Sequence, residues 1–157
     1  MTEQLRKEIK QSRPFASLEQ EAYLSLGRTW AVLEHALAEA LKGHGITPTQ
    51  YNVLRILRGA GDSGLCRAEV MERMVARVPD ATRLLDRMES VGLISREREA
   101  EDRRFVTTRL TDEGARILAE LDEPVLELHR AQFAGLDPTD LRTLIGLLEH
   151  ARGDCGW

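Results

Sequence analysis

The chain has 157 residues, enough for one modest hydrophobic core and too few for a second independent fold. Charged residues make up 31% and aromatics 4% of it, the balance of a helix-rich protein with ion-paired outer faces, which excludes fibrous and low-complexity classes. The net charge of −4 argues at first against a nucleic-acid partner, whose phosphates attract cations.

The distribution changes that reading. Residues 111–157 hold 4 basic and 10 acidic side chains, whereas residues 65–110 hold 10 basic and 9 acidic ones, and all ten of those cations are arginines. Arginine is the residue suited to bidentate contacts with phosphate and guanine. No stretch nears the roughly 18 to 20 apolar residues of a membrane span, and the opening MTEQLRKEIKQSRPF lacks a signal-peptide core, so the sequence predicts a cytoplasmic protein.

In chain order, Leu18, Ala22, Leu26, Trp30, Leu33, Leu37 and Leu41 recur every three or four residues and predict a long helix from Ser17 to Leu41, ended by Gly43 and Gly45. Thr47-Pro48-Thr49-Gln50 is a capping-box start for a helix over 48–59 that buries Val53, Leu54 and Leu57. Gly59, Gly61 and Gly64 read as a loop. A short helix then lines up Ala68, Met71, Met74 and Val75 on one side.

Pro79 begins a further helix, spanning 80–91, with Ala81, Leu84, Leu85, Met88 and Val91 inward and Asp80, Arg83 and Arg87 outward, until Gly92 stops it. The periodicity then turns strand-like. Leu93–Arg98 and Arg104–Leu110 form a hairpin across the charged loop Glu99–Arg103, with arginines at its tip. Thr111 caps a long helix carrying Ala115, Leu118, Leu121, Val125 and Leu128 inward, which Pro124 is expected to kink or interrupt. Asp137-Pro138 starts a last helix burying Leu141, Leu144, Ile145 and Leu148.

This order predicts a mainly α fold with a small β wing. It is a winged helix-turn-helix lobe over 46–110, flanked by dimerisation helices in 1–45 and 111–157, within one domain spanning 1–157. The outer helices carry more apolar face than so small a lobe can cover, so a homodimer is expected. There is no GxSxG, no phosphate loop and no dinucleotide fingerprint, hence no support for an enzyme, and no cofactor is implied. His35, His44, His129 and His150 lack metal-ligand spacing, and Cys66 and Cys155 read as incidental thiols without a disulfide.

Three strings, GITPTQYNVLRIL at 45–57, DATRLLDRMESVGLISR at 80–96 and DRRFVTTRLTDEG at 102–114, resemble the MarR family of bacterial transcriptional regulators. The resemblance implies a homodimer on a pseudo-palindromic double-stranded DNA operator, most simply a repressor. Its recognition helix would present Asp80, Thr82, Arg83, Asp86 and Arg87, and its wing Arg98, Asp102, Arg103 and Arg104, with Asp102 bracing Arg104 for the minor groove. It departs from the family in opening the recognition helix with Val78-Pro79-Asp80 in place of a serine cap, and in the acidic wing loop EREAED. The resemblance also implies a small aromatic or phenolic effector, for which Tyr23, Trp30 and Tyr51 are the candidate binding residues. The alternative is a winged helix used only for protein contacts, without specific DNA binding.

Overall fold

A computed structural model describes residues 4–98 and 106–153. The chain opens with a short helix that its sequence does not announce, α1 (Gln4–Glu8), held by buried Leu5 and by an ion pair from Glu8 to Arg28. Helix α2 (Leu18–Leu41) starts where Ser17 accepts a hydrogen bond from the Gln20 N–H. It passes into a 3-10 turn (Lys42–His44) closed by Gly45 at φ 67°, a left-handed backbone that glycine adopts without strain. Helix α3 (Pro48–Ala60) has the expected reciprocal cap between Thr47 and Gln50. Gly59 lies inside it, and a second 3-10 turn (Gly61–Ser63) follows.

Strand β1 (Leu65–Cys66) is too short for any periodicity to reveal. It pairs antiparallel with β3 (Val106–Leu110), which pairs in turn with β2 (Ile94–Arg98), so the wing hairpin belongs to a three-stranded sheet of order β1-β3-β2. Thr108, at the centre of β3 and opposite both Leu65 and Arg96, is buried. Gly64 precedes β1 at φ 65°, and a Cβ there would lie 2.7 Å from the Thr108 carbonyl oxygen.

Helix α4 (Arg67–Glu72) is shorter than the sequence predicts. Val70 is its buried residue, Met71 and Met74 are half-buried, and Ala68 and Val75 are exposed. Helix α5 (Ala81–Ser90) buries Leu85 and Met88 but leaves Val91 exposed beyond its end. The core joins α3, α4, α5 and β2 through Val53, Leu54, Leu57, Val70, Leu85, Met88 and Ile94.

Helix α6 (Asp112–Gln132) adds Ile117, Leu118, Leu121 and Val125 to that core, while Ala115 faces solvent. It runs through Pro124 without interruption, so of the expected kink or interruption the interruption does not occur. The proline ring removes one backbone donor, and packing on both sides keeps the helix continuous. Arg58 Nη1 and Nη2 each donate to an Asp122 carboxylate oxygen at 2.8 Å, clamping α3 to α6. The guanidinium holds the Asp122 carboxyl below its usual range.

Helix α7 (Pro138–Arg152) buries none of its residues within the chain, against the expected burial of Leu141, Leu144, Ile145 and Leu148. Ile145 is 55% and Leu147 63% exposed. On α2, Leu18, Leu26 and Trp30 are likewise exposed. The terminal helices therefore carry apolar faces that this chain alone does not cover.

Candidate nucleic-acid interface

The placement of α5 begins two helices earlier. Asn52 Oδ1 on α3 accepts the Val75 N–H at 3.0 Å and so fixes the segment that links α4 to α5. That segment ends in Val78-Pro79-Asp80, where Asp80 Oδ1 accepts the Arg83 N–H at 2.9 Å and caps the helix. Pro79 stays outside, so α5 runs one residue shorter at each end than predicted. Asp80 is thus an N-cap. It takes the place of the serine cap and offsets the exposed amide at the helix start.

With Leu85 and Met88 buried, the 100° step of the helix turns Thr82, Arg83, Asp86 and Arg87 toward solvent. Asp86, three residues after Arg83, would normally compete for that arginine at helical spacing, and Glu89 adds a second carboxylate to the same helix. Both are taken instead by Arg96 of β2. Its Nε donates to Glu89 Oε2 at 2.8 Å, its Nη2 donates to the same oxygen at 2.6 Å and to Asp86 Oδ1 at 2.5 Å, and its backbone N–H reaches Glu89 Oε1 at 3.2 Å. Hydrogen bonding to Glu89, more than to Asp86, raises the already high pKa of this guanidinium. The knot ties the wing to α5.

Arg83 and Arg87 are left exposed, with no acidic partner among the described residues. Thr82 accepts a hydrogen bond from Arg67 Nη1 at 3.2 Å, which brings a further cation from the first turn of α4 beside the same face. Arg98 shares its strand face with Arg96, two residues further out, and is exposed. On the opposite face Arg109 Nη1 reaches Glu97 at 3.4 Å and its Nε donates to the Asp62 carbonyl. Asp102, Arg103 and Arg104 lie outside the described residues.

Arg67 and Arg96 were not singled out from the sequence. Their partners are separated from them in the chain, 15 residues for Arg67 and 7 to 10 for Arg96, and no helical or strand period signals such pairs. Asp86, expected to face DNA, is engaged by Arg96 while its side chain remains 55% exposed on the outer face.

A cavity of about 340 Å³ lies between α2, α3 and the segment before α5. Trp30, Tyr51 and Arg55 line it, together with Val75 to Val78. The Tyr51 ring is buried, Arg55 stacks over it at 5.9 Å, and Arg55 Nη1 donates to the tyrosine oxygen at 3.3 Å. Tyr23 does not belong to this cavity and is 76% exposed on α2, because its position is two turns further toward the helix start than Trp30. Cys66 has a structural use: it caps α4, its sulfur accepting the Glu69 N–H while Glu69 Oε2 accepts the Cys66 N–H at 2.7 Å.

Known proteins resemble this chain in sequence and in fold. A model of the MarR family matches residues 44–104. An uncharacterized HTH-type transcriptional regulator of Bacillus subtilis, YkoM, is 32% identical over 143 residues, covering 87% of this chain and 90% of that protein. The crystal structure of a MarR transcription factor from Planctomyces limnophilus is 38% identical, with a TM-score of 0.66 and coverage of 86% of this chain and 98% of that one. A mutant of MarR from E. coli, complexed with operator DNA, is 28% identical with a TM-score of 0.74, covering 87% of this chain and 99% of its own. By sequence and by fold, this chain belongs to the MarR family of transcriptional regulators.

Proposed function

We propose that the protein is a homodimeric, sequence-specific regulator of transcription that places α5 of each protomer in the major groove of an operator and blocks transcription by occupying it. The observation that carries this reading is the release of Arg83 and Arg87 from ion pairing while Arg96 engages the neighbouring carboxylates. Free, exposed arginines on one face of a helix beside a wing are what groove reading needs, and a module for protein contacts alone has no use for them there. That a relative of the same fold from E. coli is complexed with operator DNA supports duplex DNA as the partner.

Dimerisation follows from the faces of α2 and α7. Leu18, Leu26, Ile145 and Leu147 each expose much of their apolar surface, and a second copy covers such a face at roughly 25 cal/mol per Å². Two lobes related by a two-fold axis then meet half-sites about one helical turn, roughly 34 Å, apart. In the wing, the resemblance assigns minor-groove contact to Arg104 with Asp102 as its brace, and Arg98 and Arg103 are further DNA-binding candidates beside them.

The cavity beside Trp30, Tyr51 and Arg55 supports release by an aromatic acid. Its walls are apolar and aromatic, and Arg55 offers a cation to a carboxylate. It also shares Val75 to Val78 with the approach to α5, so an occupant that prefers one position of this segment shifts the setting of the reading helix.

In-vitro selection from random duplexes, followed by anisotropy titration of the winner at two salt concentrations, tests the reading. The expected result is an inverted repeat, bound tightly and with affinity that falls with salt. Failure to enrich any sequence overturns the regulator reading. Titration of hydroxylated and simple aromatic acids into the complex, with no change in affinity, overturns the effector.

A further inference from the structure

Three of the polar groups on the outer face of α5 are occupied. Asp80 caps the helix, Thr82 accepts from Arg67, and Asp86 is held by Arg96. The cations of this helix left for base edges are Arg83 and Arg87, one turn apart on the same side of the helix and both exposed. Arginine has one strongly preferred target in the major groove, the O6 and N7 acceptors of guanine, which its fork meets with two parallel hydrogen bonds. Four helical residues rise ~6 Å along the axis. A base pair rises about 3.4 Å, so the two forks reach bases separated by about two steps, or fewer where the helix is inclined to the groove.

We infer that Arg83 and Arg87 each read a guanine, so that the operator half-site of this protein carries two guanines, on either strand, within about three base pairs of each other. The inference rests on the DNA-binding reading above and deepens it by naming the chemistry of the half-site. Arg67 has a different part. Lying at the edge of α5 with its guanidinium steadied by Thr82, it is placed for the sugar-phosphate backbone, which positions the helix without selecting sequence.

The test pairs selection with atom-level substitution in the DNA. Wild type, Arg83→Ala and Arg87→Ala are each selected against the same random library. The best wild-type duplex is then remade with 7-deazaguanine, which replaces N7 by a C–H group, at one guanine at a time. Wild type should enrich two guanines at the stated spacing, and each alanine variant should lose the preference at one of them only. Each 7-deazaguanine should weaken wild type on the order of tenfold and leave the variant lacking its partner arginine almost unaffected. The modified DNA needs no altered protein, so a variant that folds poorly does not decide the matter.

Two results overturn the inference while the regulator stands: a wild-type half-site without such a guanine pair, or an equal loss on every sequence in both variants, which places the arginines on phosphates. Enrichment of no sequence by wild type overturns the inference together with the reading on which it rests.

Discussion

Replacing Arg96 by methionine keeps the aliphatic stem and removes the guanidinium that joins β2 to α5. Arg96 is 22% exposed in its side chain and makes two hydrogen bonds to Glu89, itself 37% exposed, and one to Asp86, 55% exposed. Hydrogen bonds to a charged partner are worth about 1.5 to 3 kcal/mol when well shielded. Exposed ion pairs are worth about 0 to 1 kcal/mol, so the Asp86 contact is discounted almost entirely and the Glu89 contacts in part. The expected cost in stability is about 1 to 2 kcal/mol, read as a lower urea midpoint at unchanged slope and fixed protein concentration.

A second effect follows in the DNA complex. Freed Asp86 becomes a competitor for Arg83, three residues before it, and the uncompensated charge of Asp86 and Glu89 repels the DNA phosphates, so operator affinity should fall. Neutralising both carboxylates in the triple variant Arg96→Met, Asp86→Asn, Glu89→Gln should restore most of the affinity lost in Arg96→Met. A single variant with wild-type affinity, or a triple variant no better than the single, refutes the reasoning that Arg96 acts by engaging these carboxylates.

Gly114→Ala should destabilise by about 1 to 3 kcal/mol, seen in the same urea titration. The added Cβ would lie 2.4 Å from the Leu93 carbonyl oxygen, a backbone atom that cannot retreat, and 2.8 Å from Leu110 Cδ1. Leu147→Glu on α7 should shift the protein from dimer to monomer in sedimentation velocity, because a carboxylate cannot be buried against the apolar face of a second copy. Trp30→Ala should enlarge the cavity and weaken any aromatic acid that releases the operator, read as a higher acid concentration for half-release.

The Arg58–Asp122 clamp also predicts an acid limb. Asp122 has a folded pKa below its ordinary value of 3.8, so its contribution is present above that pH and is lost as pH falls through the lowered value. With both side chains more than a third exposed, the amount is below about 1 kcal/mol. Asp122→Asn should flatten the stability profile below that pH and leave the neutral range nearly parallel to wild type.

The helices that have strong local signals were legible in the sequence. The capping box at Thr47 and Gln50, the Thr111 cap and the Asp137-Pro138 start all stand where the residues place them, because a cap is decided within four residues of chain. The stripe on α2 was legible as a stripe, and Arg83 and Arg87 as outward residues of the reading helix. Local pattern went wrong where a neighbour elsewhere in the chain took over. Asn52 captures the Val75 N–H and α4 ends at Glu72, and packing on both sides carries α6 through Pro124.

What tertiary structure alone decided is which charges are spent and which are free. Arginines 83, 87, 96 and 98 look alike in one dimension, yet the sheet register sets Arg96 over α5 and into the carboxylates of Asp86 and Glu89, while Arg83 and Arg87 remain open. A hydrogen bond depends on a distance of about 3 Å and on angle, and residues far apart in the chain reach that geometry only after the core has fixed helix and wing together. Sequence by itself determined the family resemblance, the order of the longer helices and the wing strands, and the face of α5 that looks outward; folding added α1 and β1 and determined the division of labour on that face.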